Sequence, residues 1–244
     1  LCRLEFRPNS DDPIRVVNML KDNGFNLTVN SGTKGPGYAL FDSKMRPHAP
    51  GMDPDYLPRL IELCHQKDIM ILSWVAFNIQ DVRDTPDVYV PAKLYPEWVA
   101  KYIDEEGHKT GEEAGATGMC MFSTPYREKN ADFVDEILNL GFDGIWFDGF
   151  MSYGMPGVSV GCVCERCAYH FNKDTGMKLP DRINWSDSSF LRFVGWRYDE
   201  LIEAGEYMLD RIKATKPDAP VHFNTHSFPN LRFDWRWSVP LRKM

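Results

Sequence analysis

Short apolar segments alternate with longer amphipathic segments along this chain, and that alternation restricts its possible folds more than any other feature. Apolar runs rich in β-branched and aromatic residues predict five strands, at residues 1–6, 25–30, 69–75, 143–148 and 221–224. Because a strand followed by a helix and another strand usually forms a parallel pair, the sequence predicts an α/β fold with a parallel sheet. Residues 232–237 predict a sixth strand.

Local signals predict where four helices lie between these strands. Asp12-Pro13 predicts the start of the first helix, and its apolar stripe consists of Ile14, Val17 and Leu20. A second Asp-Pro pair, beginning at Asp53, predicts the start of the second helix in the same way. A third helix is predicted for residues 125–140, and a fourth, of more than two dozen residues, begins at Asp187. The inward face of the fourth helix consists of Phe190, Val194, Leu201, Met208 and Ile212.

The connections after strands 2, 3 and 4 are too long to be simple turns. Long insertions at these places are typical of a (β/α)₈ TIM barrel, whose active sites lie at the carboxyl ends of the strands. A doubly wound sheet is disfavoured because no G-x-G-x-x-G motif follows the first strand. A complete barrel needs about 250 residues without such insertions. We therefore expect residues 1–244 to form one incomplete catalytic barrel domain, its first five or six βα units.

Composition narrows the range of partners. The net charge is −7 and no cluster of Lys and Arg is present, so nucleic acid and anionic membranes are poor candidates. No run of about 18 apolar residues predicts a transmembrane helix, so we expect a soluble protein, either cytoplasmic or secreted, that could form a homo-oligomer. The seven Trp, ten Tyr and fifteen Phe residues include several in predicted loops, where aromatic rings can stack on sugars.

Asp148 is the main candidate for a catalytic residue. It ends the apolar strand Asp-Gly-Ile-Trp-Phe-Asp, and Gly149 then allows a tight turn. In a barrel this position lies at the mouth, where catalytic residues are found, with Trp146 as the neighbour on the same face. A helix cap or an ion pair with a structural arginine is the alternative role for such an aspartate.

Four of the six cysteines have the spacing of a metal site. Cys162, Cys164 and Cys167 form a C-x-C-x₂-C motif, and Cys120 lies upstream. Four thiolates suit a closed tetrahedral zinc site, which we expect to be structural and to lie in an insertion at about residues 150–180. Free thiols and an iron–sulfur cluster remain open as alternatives, whereas disulfides are disfavoured in a chain of this size. Cys64, on the apolar face of the second helix, is predicted to belong to the core.

Two stretches resemble glycoside hydrolase family 42, the β-galactosidases. Residues 120–128, Cys-Met-Phe-Ser-Thr-Pro-Tyr-Arg-Glu, precede the Asp148 strand, and C-x-C-x₂-C follows it. The resemblance implies a (β/α)₈ barrel, and it implies that Cys120, Cys162, Cys164 and Cys167 hold zinc. Family 42 carries Asn-Glu at the end of strand 4, with the Glu as acid/base, whereas this chain has Asp148-Gly149.

The Trp-Phe-Asp-Gly sequence that contains Asp148 is also similar to that of family 29 α-L-fucosidases, where the Asp is the nucleophile. A loosely characterised group of glycosyl hydrolases combines this strand with C-x-C-x₂-C. Its further motifs match positions that are spread along the chain, namely Tyr38, His48, Pro96-Glu97-Trp98 and Leu179-Pro180. The resemblance covers about residues 10–225.

These features together predict a glycoside hydrolase with a carbohydrate substrate and a carboxylate pair that includes Asp148. The candidate substrate-binding residues are Trp74, Trp146, His48, Asn224 and His226. The alternative is a non-catalytic carbohydrate-binding or scaffold barrel that keeps the structural zinc site. In family 42 the second carboxylate lies near strand 7, so we expect residues 1–244 alone to be inactive and the parent protein to continue with at least two more βα units.

Overall fold

The computed structural model describes residues 2–3, 12–34, 38–77, 79–81, 91–110, 116–122, 124–149 and 160–224. The strands are β1 (Cys2–Arg3), β2 (Leu27–Ser31), β3 (Thr33–Lys34), β4 (Tyr38–Ala39), β5 (Met70–Ala76), β6 (Ile79–Asp81), β7 (Tyr102–Ile103), β8 (Lys109–Thr110), β9 (Ala116–Gly118), β10 (Gly144–Asp148), β11 (Val160–Gly161) and β12 (Val221–Phe223). The helices are α1 (Pro13–Asp22), α2 (Tyr56–Gln66), α3 (Pro91–Leu94), α4 (Thr124–Leu140), α5 (Glu165–Thr175) and α6 (Ser188–Thr215), and a 3₁₀ turn covers Pro96–Trp98.

The main sheet consists of five parallel strands in the order β1-β2-β5-β10-β12. Each of these strands pairs with the strand that precedes it in this sheet. A doubly wound sheet would reverse its direction of growth at one point, and no reversal occurs among the described strands. The α/β fold with a parallel sheet, and all five predicted strands, are therefore confirmed. The predicted sixth strand at residues 232–237 lies outside the described residues.

The predicted α1 is confirmed, but one residue of its predicted buried face is wrong. Asp12 caps the helix, because its Oδ1 accepts a hydrogen bond of 3.0 Å from the Ile14 backbone N. The side chain of Ile14 is 43% exposed, whereas Val16, Val17 and Leu20 are buried. The latter three are spaced as i, i+1 and i+4, which places them on one helical face, and Ile14 falls at the edge of that face.

The predicted start of α2 at Asp53 is also wrong, by a few residues. Asp53 Oδ1 accepts a hydrogen bond of 3.0 Å from the Asp55 N, which forms a local turn, and the helix begins only at Tyr56. The buried face of α2 includes Cys64, as predicted. The predicted start of α6 is confirmed, because Asp187 Oδ1 accepts from the Ser189 N at 2.9 Å. All five residues of the predicted inward face of α6 are buried.

The segments between the strands of the main sheet form additional small sheets. After β2, the strands β3 and β4 form a hairpin. Between β5 and β10, the chain forms β6, β7, β8 and β9, with β6 antiparallel to β9. Between β10 and β12 lies β11, which pairs with β7 and completes the three-stranded antiparallel sheet β11-β7-β8. The chain before β10 and the chain after it are thus hydrogen-bonded to each other.

Close backbone contact fixes β12 beside β10. A Cβ atom on Gly144 would lie 2.1 Å from the Pro220 backbone O, so only glycine fits at this position without displacement. The Ile145 N donates to the same oxygen at 3.0 Å. None of the helices in the described ranges has the length and apolar content needed to cross a bilayer.

Candidate functional site

Asp148 lies at the carboxyl end of β10, and its carboxylate accepts hydrogen bonds from Trp74, Asn224 and Gly149. Oδ2 accepts from Trp74 Nε1 at 3.0 Å. Oδ1 accepts from Asn224 Nδ2 at 2.7 Å and from the Gly149 backbone N at 3.1 Å. Trp74 belongs to β5, and Asn224 directly follows β12. Three neighbouring strands of the sheet therefore contribute to one carboxylate site, and three of the predicted site residues meet there.

Strand register explains why these side chains meet. Trp74, Trp146 and His222 are register partners across β5, β10 and β12. Side chains two residues apart on a strand point to the same face. Asp148 follows Trp146 by two residues and Asn224 follows His222 by two residues, so all four side chains lie on one face of the sheet. Because parallel strands end at the same edge of a sheet, the polar residues converge at that edge.

The opposite face of these strands is apolar and fixes their orientation. The ring of Phe147 is stacked on Phe223, with a centroid distance of 5.2 Å and an interplanar angle of 18°. Phe77 packs edge-on against both rings. Full burial of a Phe side chain stabilises a fold by about 1.5–3 kcal/mol. A rotation of β10 that reversed its faces would expose Phe147 and bury Asp148, so this packing directs Asp148 to the polar edge.

His222 was missed by the sequence-based prediction of site residues. Its ring lies against that of Trp146, with a centroid distance of 4.2 Å and an interplanar angle of 46°. The side-chain alternation of β12 could have revealed it, because Asn224 was predicted to face the mouth and His222 lies two residues earlier. Trp146 and His222 form the layer next to Asp148.

Of the two histidines that were predicted to bind substrate, only His48 lies in the described part of the chain. His48 forms an isolated bridge to Ala39, and its Nε2 is buried with no hydrogen-bond partner among the described residues. No hydrogen bond or ring contact among the described residues joins His48 to Asp148. His226 lies outside the described residues.

The four predicted metal ligands come together in a second, buried cluster. Their sulfur atoms all lie within 4.8 Å of one another, and Cys120 Sγ is 3.6 Å from Cys167 Sγ and 3.9 Å from Cys164 Sγ. A tetrahedron of four thiolates around zinc, with Zn–S of about 2.3 Å, has S···S edges of about 3.8 Å. A disulfide would need about 2.05 Å, and the cysteines are free. The sulfur positions therefore suit a tetrahedral ion.

The cysteine cluster joins the chain on both sides of β10. Cys120 follows β9, whereas Cys162, Cys164 and Cys167 follow β11 or lie in α5. One ligand thus comes from the connection before β10 and three come from the connection after it. Backbone bonds support it, because the Lys101 N donates to Cys162 Sγ at 3.4 Å and the Val163 N donates to the Lys101 O at 2.8 Å.

The electrostatics of this cluster favour a cation. Hydrogen bonding with Cys120, Cys162 and Cys167 lowers the pKa of Cys164, so that this thiol ionises first. Hydrogen bonding within the cluster, together with burial, raises the pKa of Cys120 and of Cys167. Four thiolates this close repel one another, and a bound metal ion removes that repulsion.

A second group of possible metal ligands is exposed and engaged in internal bonds. Asp104, Glu106 and His108 lie in the turn between β7 and β8. His108 Nδ1 is 3.0 Å from Asp104 Oδ2 and 3.3 Å from Glu106 Oε2. The other Asp104 oxygen accepts from the backbone N of Glu106 and of His108. These contacts stabilise the turn itself, and they occupy the same side-chain atoms that would bind a metal ion.

Glu200, on α6, has the most perturbed carboxyl group among the described residues. Burial and the negative charges of Glu203, Asp174 and Asp199 raise its pKa from 4.5 to about 7, against the opposing charge of Arg127. The contacts around it join α6 to its neighbours. Trp196 Nε1 donates to Asp174 Oδ2 at 2.8 Å, and Arg127 Nη1 lies 3.2 Å from Glu203 Oε1. This carboxyl lies at the junction of α4, α5 and α6.

This pKa predicts a pH-dependent loss of stability. The folded state holds the Glu200 proton more tightly than the unfolded state does, so this proton adds to the free energy of unfolding. The added stability is fully present below pH 4.5 and is lost between pH 4.5 and about 7. In Glu200→Gln this added stability cannot be lost, because the glutamine side chain stays neutral at every pH. We expect the melting temperature of this variant to rise relative to the original protein across that window and then stay constantly higher. Glu206→Gln, an exposed site on the same helix, is the control and should melt in parallel with the original protein at every pH.

Solved structures of several glycoside hydrolases are similar in fold to this chain. No family model and no curated protein sequence matches this chain. Among solved structures, α-L-fucosidase isoenzyme 2 from Paenibacillus thiaminolyticus matches 96% of this chain with a TM-score of 0.66 and 18% identity. The β-galactosidase from the haloarchaeon Halorubrum lacusprofundi matches 91% with a TM-score of 0.63 and 18% identity. The β-galactosidase from Marinomonas ef1 matches 91% with a TM-score of 0.64 and 13% identity.

The chain spans about a third of the length of these three enzymes, which are covered to 33%, 35% and 36%. A hypothetical protein from Ruminiclostridium thermocellum is covered to 90%, with a TM-score of 0.55 and 12% identity. The predicted resemblance to TIM-barrel glycoside hydrolases of the fucosidase and β-galactosidase kinds is confirmed as a similarity of fold.

Proposed function

We propose that this chain belongs to a (β/α)₈-barrel glycoside hydrolase and that Asp148 is one of its two catalytic carboxylates. The observation that carries the proposal is the position of Asp148, which accepts hydrogen bonds from the ends of two neighbouring strands and from its own turn. Catalytic residues of barrel enzymes lie at the carboxyl ends of strands in this way. The similarity in fold to known glycoside hydrolases supports the same function.

The proposal of a closed barrel rests on the order of the strands. The β1, β2, β5, β10 and β12 strands correspond to the first five barrel strands, because each is added beside the one before it. Asp148 then ends the fourth barrel strand, and Asn224 follows the fifth. The small sheets formed after β2, β5 and β10 lie in connections that leave from the carboxyl ends of the strands, the face on which barrel enzymes build their sites.

The hydrogen bonds of Asp148 favour a role as nucleophile or base. Both of its oxygens accept from N–H donors, which orients the carboxylate and leaves its lone pairs directed at fixed positions. A general acid must instead carry a proton on one of these oxygens and point it at the leaving group. The second carboxylate is then the proton donor. Its distance from Asp148 would be about 5–5.5 Å in a retaining enzyme and about 6.5–9.5 Å in an inverting one.

Aromatic side chains next to Asp148 are consistent with a carbohydrate substrate. Trp74 and Trp146 are both only partly buried, although they lie in strands whose other faces are fully covered. An indole ring offers an apolar face to the C–H groups of a sugar and a single N–H donor at its edge. The Trp74 donor is engaged by Asp148, so Trp74 both orients the carboxylate and borders the site. The described contacts do not join His48 to this site, and His226, which lies outside the described residues, stays a prediction from the sequence.

We propose that Cys120, Cys162, Cys164 and Cys167 hold one structural zinc ion. Four thiolates leave no open position for water or substrate, so the ion has no direct part in catalysis. Its role is to join the connection before α4 to the connection after β10, both of which border the edge of the sheet where Asp148 lies.

The test of the proposed function is a screen of nitrophenyl glycosides with the whole protein. The panel contains both anomers of fucosides and galactosides, since proteins of similar fold act on these, together with glucosides, xylosides and mannosides. We expect at least one of them to be hydrolysed. The stereochemistry of the first product, followed by NMR, reports whether the enzyme retains or inverts. Failure of the whole protein to hydrolyse any glycoside, including natural oligosaccharides with the same sugars, would contradict the proposal.

A further inference from the structure

His222 has an orientation that the packing of its own strand imposes. Its neighbour Phe223 stacks on Phe147 and contacts Phe77 on the apolar face of the sheet. Side chains alternate along a strand, so His222 points to the other face, which carries Trp146 and Asp148. The strand cannot rotate without removing Phe223 from this packing. The position of the imidazole is therefore determined by the core and not by the site.

Neither ring nitrogen of His222 has a partner in the part of the chain that the structure describes. The side chain is exposed, and no hydrogen bond or ion pair within the described ranges involves either nitrogen. The contact with the Trp146 ring, at a centroid distance of 4.2 Å, restrains the imidazole on one side. A neutral imidazole has one donor and one acceptor, which together suit a hydroxyl group. A restrained polar ring with unused hydrogen-bonding groups, beside a candidate catalytic carboxylate, is what a binding site for a polar ligand requires.

His222 lies on the strand next to Asp148, as the register partner of Trp146. Asn224 donates to Asp148 and lies two residues after His222, a spacing of about 6.6 Å along the strand, so one bound ligand can reach both His222 and Asp148. We propose that His222 contacts substrate, that it hydrogen-bonds a ring hydroxyl of the sugar whose anomeric carbon faces Asp148, and that this contact determines which sugar is accepted. This inference rests on the proposed function and extends it to a specificity residue. Trp146 acts as its positioning residue.

Two substitutions separate hydrogen bonding from packing at this position. His222→Phe keeps an aromatic ring against Trp146 and removes both nitrogens. His222→Gln removes the ring and keeps a donor and an acceptor. If the hydroxyl contact matters, the Phe variant should lose about 10- to 100-fold in kcat/KM on the best nitrophenyl glycoside, and the Gln variant should lose clearly less. If His222 only packs against Trp146, the Gln variant should lose more kcat/KM than the Phe variant.

A substrate series locates the hydroxyl. Each substrate in the series lacks one ring hydroxyl of that glycoside. In the original protein, removal of the contacted hydroxyl should lower kcat/KM by about 10-fold or more, whereas in His222→Phe the same removal should have almost no further effect. The other hydroxyls should have the same effect in both proteins. An unchanged penalty for every hydroxyl in His222→Phe would overturn the inference.

Calorimetric titration of the whole protein with the free monosaccharides of the panel separates this inference from the proposed function. If no glycoside is hydrolysed but a sugar binds, and His222→Phe weakens that binding, then the hydrolase proposal fails and the role of His222 stands. If a glycoside is hydrolysed and His222→Phe is indistinguishable from the original protein, the role of His222 fails alone. Neither hydrolysis nor binding of any sugar would overturn both.

Discussion

Asp148→Asn is expected to lower kcat of the whole protein by at least about 10³-fold, because it replaces a charged nucleophile or base by a neutral amide. The fold should survive, since an asparagine oxygen can still accept from Trp74 or from Asn224. The loss of one hydrogen bond costs about 1 kcal/mol, which corresponds to a fall in melting temperature of roughly 2–4 °C in a chain of this size. Initial rates on the best glycoside and thermal melts measure the two effects.

The same strand provides a matched control at its other end. Asp143 lies just before β10 and accepts from the Ile71 N at 2.8 Å, with His65 and Lys216 nearby. Residues at the amino ends of barrel strands support stability, whereas those at the carboxyl ends carry catalysis. Asp143→Asn should therefore lower the melting temperature by at least as much as Asp148→Asn does and leave kcat within about 2-fold of the original value.

The role of Asp148 can be resolved further by chemical rescue. If it is a nucleophile, Asp148→Gly with added azide should form a glycosyl azide of inverted anomeric configuration, because the anion takes the place of the missing carboxylate. If it is the base of an inverting enzyme, azide needs no proton removal and can give the same adduct, so retention or inversion in the reaction of the original protein separates the two roles. Full activity of Asp148→Asn would remove Asp148 from the catalytic pair, and a collapse of stability equal to its loss of activity would assign it a structural role.

The second large effect concerns the metal. The whole protein, purified under reducing conditions without chelator, should contain one zinc per chain by elemental analysis, and it should show no visible absorption of the kind an iron–sulfur cluster gives. Cys120→Ser should reduce the zinc content to near zero. Because binding of a structural metal contributes to folding, this variant should also lose stability sharply, with a melting temperature lower by more than 10 °C.

Cys64→Ser is the matched control for this experiment. Cys64 is a free, buried thiol like the four proposed ligands, but burial, together with the negative charge of Asp143, raises its pKa to about 11. It should remain a neutral core residue, and its substitution should keep one zinc per chain. A protein that contains no metal when prepared in this way, or a disulfide between any two of the four cysteines, would contradict the zinc site.

Catalysis provides an independent readout of the metal. Since the ion has no open position, its removal should lower activity only as far as it lowers the folded fraction at the assay temperature. Chelated protein assayed well below its new melting temperature should keep a kcat close to that of the zinc-bound protein. A loss of kcat without unfolding would mean that the cysteine cluster positions the residues around Asp148.

The parts of this structure that sequence predicts well are those set by local periodicity. The strand that ends at Asp148 reads as apolar and then acidic, and the alternation of its side chains already separates Phe147 from Asp148. The same rule would have placed His222 beside Trp146, but it requires the register of two strands that are far apart in sequence. The hydrogen bonds from Trp74 and Asn224 to Asp148 depend on that register as well.

The parts that sequence predicts poorly depend on contacts between distant segments. No local signal indicates that β7 pairs with β11, because each is only two residues long and the pairing joins the chain before β10 to the chain after it. The order of the cysteines along the chain predicted a metal site with ligands from both sides of the Asp148 strand, but not the strand pairing that holds these two connections together. The errors at Ile14 and Asp53 have a different cause, since the edge of a helical face and the first turn of a helix are decided by packing and by side-chain hydrogen bonds.

The four cysteines come from two separate segments of the chain, and this determines when a site with all four ligands can form during biosynthesis. Cys120 leaves the ribosome before α4 and β10, and Cys162, Cys164 and Cys167 leave it afterwards. At roughly 5–20 residues per second, Cys120 waits several seconds for its partners. The four sulfur atoms meet only when the intervening helix and strand are folded back, and that strand is the one that carries Asp148. An ion bound by all four cysteines would therefore mark chains in which this strand has already been built.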